Sequence, residues 1–223
     1  MADKTLICVP IFQTNLSECH KTANKALKLG ADILELRVDV LQNPDPDRII
    51  KFLDELDVKK IVTNRMAQEG GLYKGSEIER TDILRDIAGH SDYVDIELIT
   101  EESHRSKVLN AANSSIVSYH NFKQTPSVDE LLKIVELEKE LGDLAKFAVM
   151  PRKMADTLKV FEVLAQVKDT IGISMGDMGS YTRVTASLFG SPITFVSIDN
   201  ESAPGQLDIH LTRLFLNKFE TGR

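Results

Sequence analysis

Ile33-Leu34-Glu35-Leu36-Arg37-Val38-Asp39-Val40 alternates apolar and charged residues along its whole length. In a β-strand successive side chains leave opposite faces, so Leu34, Leu36, Val38 and Val40 share one surface and Glu35, Arg37 and Asp39 the other. A lone strand of this kind would sit in an antiparallel sheet with its charges in water. Its surroundings point elsewhere. Similar short runs recur at Leu6 to Ile11, Lys60 to Thr63, Tyr93 to Glu97, Ser115 to Tyr119, Leu144 to Val149, Ile171 to Met175 and Thr194 to Val196. They begin about 22 to 33 residues apart, the length of one βα unit in a barrel.

Helical periodicity fills the intervals, as in Val128, Leu131, Leu132, Val135 and Leu137, in Leu158, Phe161, Val163 and Leu164, and in the closing stretch from Leu207 to Phe219. Pro44 and Pro46 are expected before one helix, Ser127 with Glu130 forms a capping-box pattern, and Gly30, Gly89 and Gly142 are expected to close others. A doubly wound open sheet would show the same alternation of strand and helix. Eight repeats with one ionic face favour a single (β/α)8 TIM barrel over residues 1–223. Helices then cover the apolar face of each strand, and the charged face points into the lumen.

The 223 residues are 42% hydrophobic and 27% charged, as in ordinary globular proteins, and carry a formal net charge of -7. That charge argues against nucleic acid or an anionic membrane as partner, since both need a clustered basic surface. A small anionic metabolite remains compatible, because it responds to the cations lining its own pocket. Residues 5–12 form too short an apolar run for a membrane span. Cys8 and Cys19 lack C-x-x-C spacing and are expected as buried free thiols, in keeping with a cytoplasmic protein.

Other strands repeat the ionic alternation. Asp95 and Glu97 share a face of Tyr93 to Glu97, Ser118 and His120 share one further on, and Arg65 ends the third strand. The decisive strand is Leu144-Ala145-Lys146-Phe147-Ala148-Val149-Met150, which holds a lysine among apolar residues. A buried ammonium must pair or lose its proton. A purely structural ion pair would satisfy it. The alternative is functional: apolar neighbours and nearby arginines favour the neutral amine, which attacks a ketone or aldehyde. The resulting iminium acidifies the adjacent carbon, so an imidazole can remove its proton. His120 is the expected base, and Glu69, in the loop after Arg65, is expected to orient it. His20, His90, His104 and His210 fall in helical segments and are expected at the surface. No spacing suggests a metal or a cofactor, and Gly70-Gly71 and the glycines after Met175 read as tight βα turns.

In order and spacing the residues resemble type I 3-dehydroquinate dehydratase along nearly the whole chain. The matching motifs are Glu35-Leu36-Arg37-Val38-Asp39, Arg65 with Glu69-Gly70-Gly71, Ser118-Tyr119-His120, Lys146 through Pro151, Met175-Gly176 through Arg183, and Ser202-Ala203-Pro204-Gly205-Gln206. The resemblance implies dehydration of 3-dehydroquinate, with Lys146 forming the imine and His120, supported by Glu69, moving the proton. It further implies that Arg183 grips the substrate carboxylate, that Glu35, Arg37 and Arg65 hold ring hydroxyls or shape a charged floor, and that Met175 and Phe195 pack the ring. Ser202 and Gln206 would belong to a lid. The family is often dimeric. Asn121 departs from the acidic residue that often follows the histidine. A Schiff-base aldolase would also use a lysine on strand six but needs a glycine-rich phosphate cup, and a non-catalytic metabolite-binding barrel would have no use for the Lys146 and His120 pair.

Overall fold

The structure, a computed structural model, describes residues 4–198 and 203–220. Strands and helices alternate: β1 (Leu6–Ile11), α1 (Leu16–Lys28), β2 (Ile33–Arg37), α2 (Pro46–Asp54), β3 (Lys59–Thr63), α3 (Glu77–Ala88), β4 (Tyr93–Glu97), α4 (Glu102–Ala111), β5 (Ser115–Asn121), α5 (Val128–Leu141), β6 (Leu144–Val149) and α6 (Met154–Leu164). Then come β7 (Thr170–Ser174), the short α7 (Gly176–Gly179) and α8 (Thr182–Thr185), β8 (Ile193–Phe195) and α9 (Ile209–Glu220). All pairings are parallel and sequential, with β8 returning beside β1. This is the expected (β/α)8 barrel, nearly closed: among the described residues β7 and β8 do not pair. Helix α8 spans that seam. The Ser174 N–H donates to Thr182 Oγ1 at 3.2 Å, and Thr194 Oγ1 donates to the Arg183 carbonyl at 2.7 Å.

The strand alternation sorts side chains as the sequence predicts. Ile7, Val9, Leu34, Leu36, Val62, Val94 and Ile96 face outward and pack on Ala23, Phe52, Leu53, Leu84 and Val108 of the helices, and Ala145, Phe147 and Val149 pack on Leu131, Val135, Val160 and Leu164. Burying a side chain such as Phe147 contributes roughly 1.5–3 kcal/mol. Inward, Cys8, Ile33, Ile61, Ile116, Ile171 and Ile193 close the lower lumen with an apolar layer, joined by Leu6, Tyr93 and Leu144. The ionic residues lie one step further along each strand. Thus the lumen is dry below and charged above.

Local departures have local causes. Strand β2 ends at Arg37, and Val38–Val40 turns into a 3-10 helix, which brings Asp39 under the Arg37 side chain instead of continuing the alternation. Pro46 is the first residue of α2, capped by Asp45, rather than a residue before it, because its fixed φ and missing N–H suit a first turn. Ser127 and Glu130 do form a capping box, as do Ser76 and Glu79. Of the three closing glycines only Gly30 needs its freedom, at φ 91°, whereas Gly89 and Gly142 have ordinary negative φ. Of the apolar residues in the periodic runs, Leu137 and Leu158 are 50% and 52% exposed, while Val135 of α5 and Val160 of α6 are buried. No described helix is long and apolar enough to cross a membrane.

Gly71 shows how tightly the loop after β3 folds back: a Cβ there would lie 1.8 Å from the Arg65 carbonyl oxygen. Gly71→Ala should therefore destabilise by about 3 kcal/mol or more, as overpacking against backbone does. Gly30→Ala, with nothing within 4 Å of the new Cβ, should cost only the left-handed backbone penalty of about 1–2 kcal/mol. Urea unfolding of both variants checks this, and equal losses would contradict it.

Candidate active site

The upper lumen opens into a cavity of about 280 Å³, the volume of roughly nine waters at ~30 Å³ each. The strands deliver Glu35 and Arg37 from β2, His120 from β5, Lys146 from β6 and Phe195 from β8, while Arg65, Glu69, Met175 and Arg183 follow β3 and β7. Gln206 closes the mouth from the segment after β8. Every site residue expected from the sequence therefore lines one cavity, except Ser202, which lies outside the described residues.

Lys146 is buried, with Nζ 2.7 Å from Asp95 Oδ2 and 4.4 Å from the Phe195 ring centroid. The amine is thus ion-paired, one of the two outcomes that the sequence left open. The carboxylate comes from β4, two strands away. Asp95 is itself fixed: Oδ1 accepts from Arg65 at 2.7 Å and from Ser118 Oγ at 2.7 Å. Burial pushes its carboxyl up, but Arg65, Lys146 and His120 outweigh burial and hold it well below the usual range. Arg65 also binds Glu97 at 3.0 Å, and Glu97 meets Arg80 of α3 at 2.9 Å on its other oxygen. Arg80 is 2% exposed and was not singled out from the sequence. Glu35 accepts from Thr63 Oγ1 at 2.7 Å, and Arg37 forms a two-pronged bond to Asp39, 2.8 Å on each arm.

His120 meets Glu69 twice. Its backbone N–H donates to Glu69 Oε2 at 3.0 Å, and Nδ1 lies 2.8 Å from the same oxygen. An oxygen already accepting the backbone N–H is the acceptor for the ring as well, which assigns the proton to Nδ1 and leaves the Nε2 lone pair available as a base. Burial lowers the His120 imidazole well below its ordinary value, and Arg65 and Lys146 push the same way. Glu69 is pushed up to about 8, chiefly by burial, with Arg65 opposing. A buried, neutral, oriented imidazole is suited to taking a proton from carbon.

At the mouth, Gly176 N–H and Arg183 both donate to the Pro204 carbonyl, at 3.1 and 2.9 Å. A Cβ on Gly205 would lie 2.3 Å from the Gly176 carbonyl oxygen, so this segment and the turn after β7 touch backbone to backbone. The other histidines lie away from this cavity: His20, His90 and His104 pair with Glu55, Asp54 and Glu101, and His210 is exposed. Residues 7–221 match the model of the type I 3-dehydroquinase family. The chain belongs to that family. It is 48% identical to the 3-dehydroquinate dehydratase of Methanothermobacter thermautotrophicus, over 96% of this chain and 97% of that one. The corresponding Methanobrevibacter smithii protein is 46% identical over 97% of each. The solved type I 3-dehydroquinate dehydratase of Clostridium difficile superimposes with a TM-score of 0.92 at 30% identity, covering 100% of this chain and 95% of that one.

In this type I 3-dehydroquinase chain the cavity has two linings that sequence reasoning missed. Pro10, Ala148 and Ile173 are lumen positions too small or too apolar to signal a site. Phe122, 42% exposed at the rim, was legible as an aromatic placed just beyond a strand end.

Because Glu69 titrates at about 8 folded and about 4.5 when free, the unfolded chain releases this proton first. Its contribution to stability is thus full below about pH 4.5 and is lost as pH rises through about 8. In Glu69→Gln that loss disappears, so the variant's Tm relative to the parent should climb between pH 4.5 and 8 and then level. Parallel Tm curves would show that Glu69 is ionised throughout.

Proposed function

We propose that this chain dehydrates 3-dehydroquinate to 3-dehydroshikimate, a step of the shikimate pathway, through a Schiff base on Lys146 with His120 as general acid and base. The observation that carries this reading is a buried lysine amine and a buried imidazole with a free Nε2 lining one small cavity. Lys146 Nζ attacks the ketone carbon, and the carbonyl oxygen leaves as water, giving an iminium. Nε2 of His120 then takes a proton from the neighbouring carbon, whose electrons flow into the C=N bond to form an enamine. The enamine expels the β-hydroxyl, which leaves as water with the proton His120 returns. Hydrolysis of the remaining iminium frees product and lysine. The solved Clostridium difficile relative carries covalently modified comenic acid, which is in keeping with covalent chemistry in this family.

The remaining side chains divide the binding. Arg183, held at the seam between β7 and β8, is the cation we assign to the substrate carboxylate. Arg65 is occupied by Asp95, Glu97 and Ser118 and so shapes the floor. Glu35 and Arg37 stand nearer the open lumen for ring hydroxyls, and Met175 and Phe195 supply apolar walls. Glu69 keeps His120 in its tautomer. Gln206 belongs to the covering segment, whose closure would exclude water, and Ser202, outside the described residues, is the second polar group we assign to the substrate. The reading includes one catalytic domain, residues 1–223, acting without a cofactor in the cytoplasm, where the two buried free thiols Cys8 and Cys19 would stay reduced. It also includes a homodimer. Exposed Leu211, Leu214 and Phe215 on α9 give it an apolar face.

Incubation with 3-dehydroquinate and borohydride should add one reduced adduct, on Lys146, by peptide mass spectrometry. Lys146→Ala should abolish both adduct and turnover. His120→Ala should still form the adduct and lose about 10²–10⁴-fold in elimination rate. An adduct on another residue, or fragments from carbon-carbon cleavage, would refute the assignment.

A further inference from the structure

We propose that Asp95 is the fixed counterion of the reacting nitrogen, keeping one hydrogen bond to Lys146 Nζ from the ammonium through the iminium. The inference rests on the Schiff-base reading and assigns a role to a residue outside the lysine, histidine and glutamate already discussed. Its basis is how the two carboxylate oxygens are used. Oδ1 is occupied by Arg65 at 2.7 Å and Ser118 Oγ at 2.7 Å. Oδ2 faces the amine at 2.7 Å. The carboxylate is fully buried, and its two anchors come from β5 and from just after β3, so it cannot swing away without costing buried Arg65 one of its two carboxylate partners.

The chemistry matches this division. Lys146 as ammonium carries three N–H bonds and one positive charge. Condensation forms the N–C bond and releases the carbonyl oxygen as water with two of those protons. The iminium keeps one N–H and the same single charge. One donor then remains, and one acceptor oxygen faces it. Because the charge beside Asp95 is the same before and after condensation, an anion that never protonates fits both states, and Arg65 with Lys146 hold this carboxyl in its ionised form against burial. Both protons that the nitrogen loses end in the released water, and Asp95 keeps neither. Holding the single N–H on Oδ2 also fixes the plane of the C=N bond. That plane decides which face of the adjacent carbon is turned toward His120, two residues further along the neighbouring strand, where Ser118 pairs with Lys146 and His120 with Ala148.

The test uses Asp95→Asn, which keeps the shape, together with Ser118→Ala, which removes one anchor and leaves the charge. For each variant we would measure borohydride trapping on Lys146, kcat and KM for 3-dehydroquinate, and calorimetric affinity for a ketone-free ring acid, shikimate. Asp95→Asn should lower trapping rate and kcat at least 100-fold while shikimate affinity stays within threefold. Ser118→Ala should lower kcat about tenfold with KM unchanged. If Asp95→Asn does not fold by circular dichroism, Ser118→Ala decides alone. Trapping and kcat within threefold of the parent in the folded variant would overturn the inference, as would a loss confined to shikimate affinity. Failure of the parent itself to label on Lys146 would instead overturn the Schiff-base reading, so the two outcomes are separable.

Discussion

The Arg65 guanidinium, clamped between Asp95 and Glu97, is the constraint on which the upper barrel depends. All three side chains are almost fully buried. Buried ion pairs seldom stabilise a protein over well-packed apolar residues, because desolvating each charge costs several kcal/mol, whereas removing one partner is severe. The barrel could close its upper lumen with isoleucine, as it does one layer below. Instead it keeps a cluster in which each charge needs the next. Arg80 reaches in from α3 to bind the far oxygen of Glu97, so the cluster is braced through the barrel wall from outside. Such a network holds each charged group in one place, which the proposed chemistry at Lys146 requires and a merely stable core does not.

The same network explains the state of His120. Its ring is buried beside two cations, Arg65 and Lys146, and either influence alone would disfavour imidazolium. Asp95 pulls the other way but is already committed to those cations. Glu69 does not reverse the outcome, because its own carboxylate is disfavoured by burial and by Glu97 and Asp95. The pair therefore rests with little net charge, and a proton arriving on Nε2 creates an imidazolium next to a group able to ionise in response. The ring's orientation comes from its 2.8 Å contact with Glu69, and its charge state from burial and the two cations.

Much of this was legible in the sequence because a parallel barrel writes its inside and outside into every second residue. The faces of Glu35, Asp95, Ser118, His120 and Lys146 follow from the pleat alone, and strand starts fell within one residue of those seen. What failed were properties set by turns or by pairing across strands. Asp39 continued an alternation in sequence, but a 3-10 turn moved it to another level. Lys146 was read from its own strand as an amine among apolar atoms, and its partner stands on β4, 51 residues earlier. Arg80 occupies a helix position that periodicity would assign to neither core nor site. The periodic runs of α5 and α6 likewise do not mark which apolar residues are covered: the strands beneath choose the buried stripe, and Leu137 and Leu158 lie outside it.

The seam between β7 and β8, an apparent defect of the barrel, is where a cation enters the cavity. Where two strands pair, their backbone groups are consumed by each other. Where they part, α8 fits between them, tied to β7 through Thr182 and to β8 through Thr194, and its Arg183 points into the cavity. That guanidinium also donates to the Pro204 carbonyl of the covering segment, which the turn at Gly176 holds from the other side. Under the proposed reading, the cation that binds the carboxylate and the backbone that covers the site are therefore one mechanical unit. A carboxylate arriving at Arg183 competes with or reinforces a contact that already positions the cover, so recognition of the substrate's charge and exclusion of water are coupled by a single side chain.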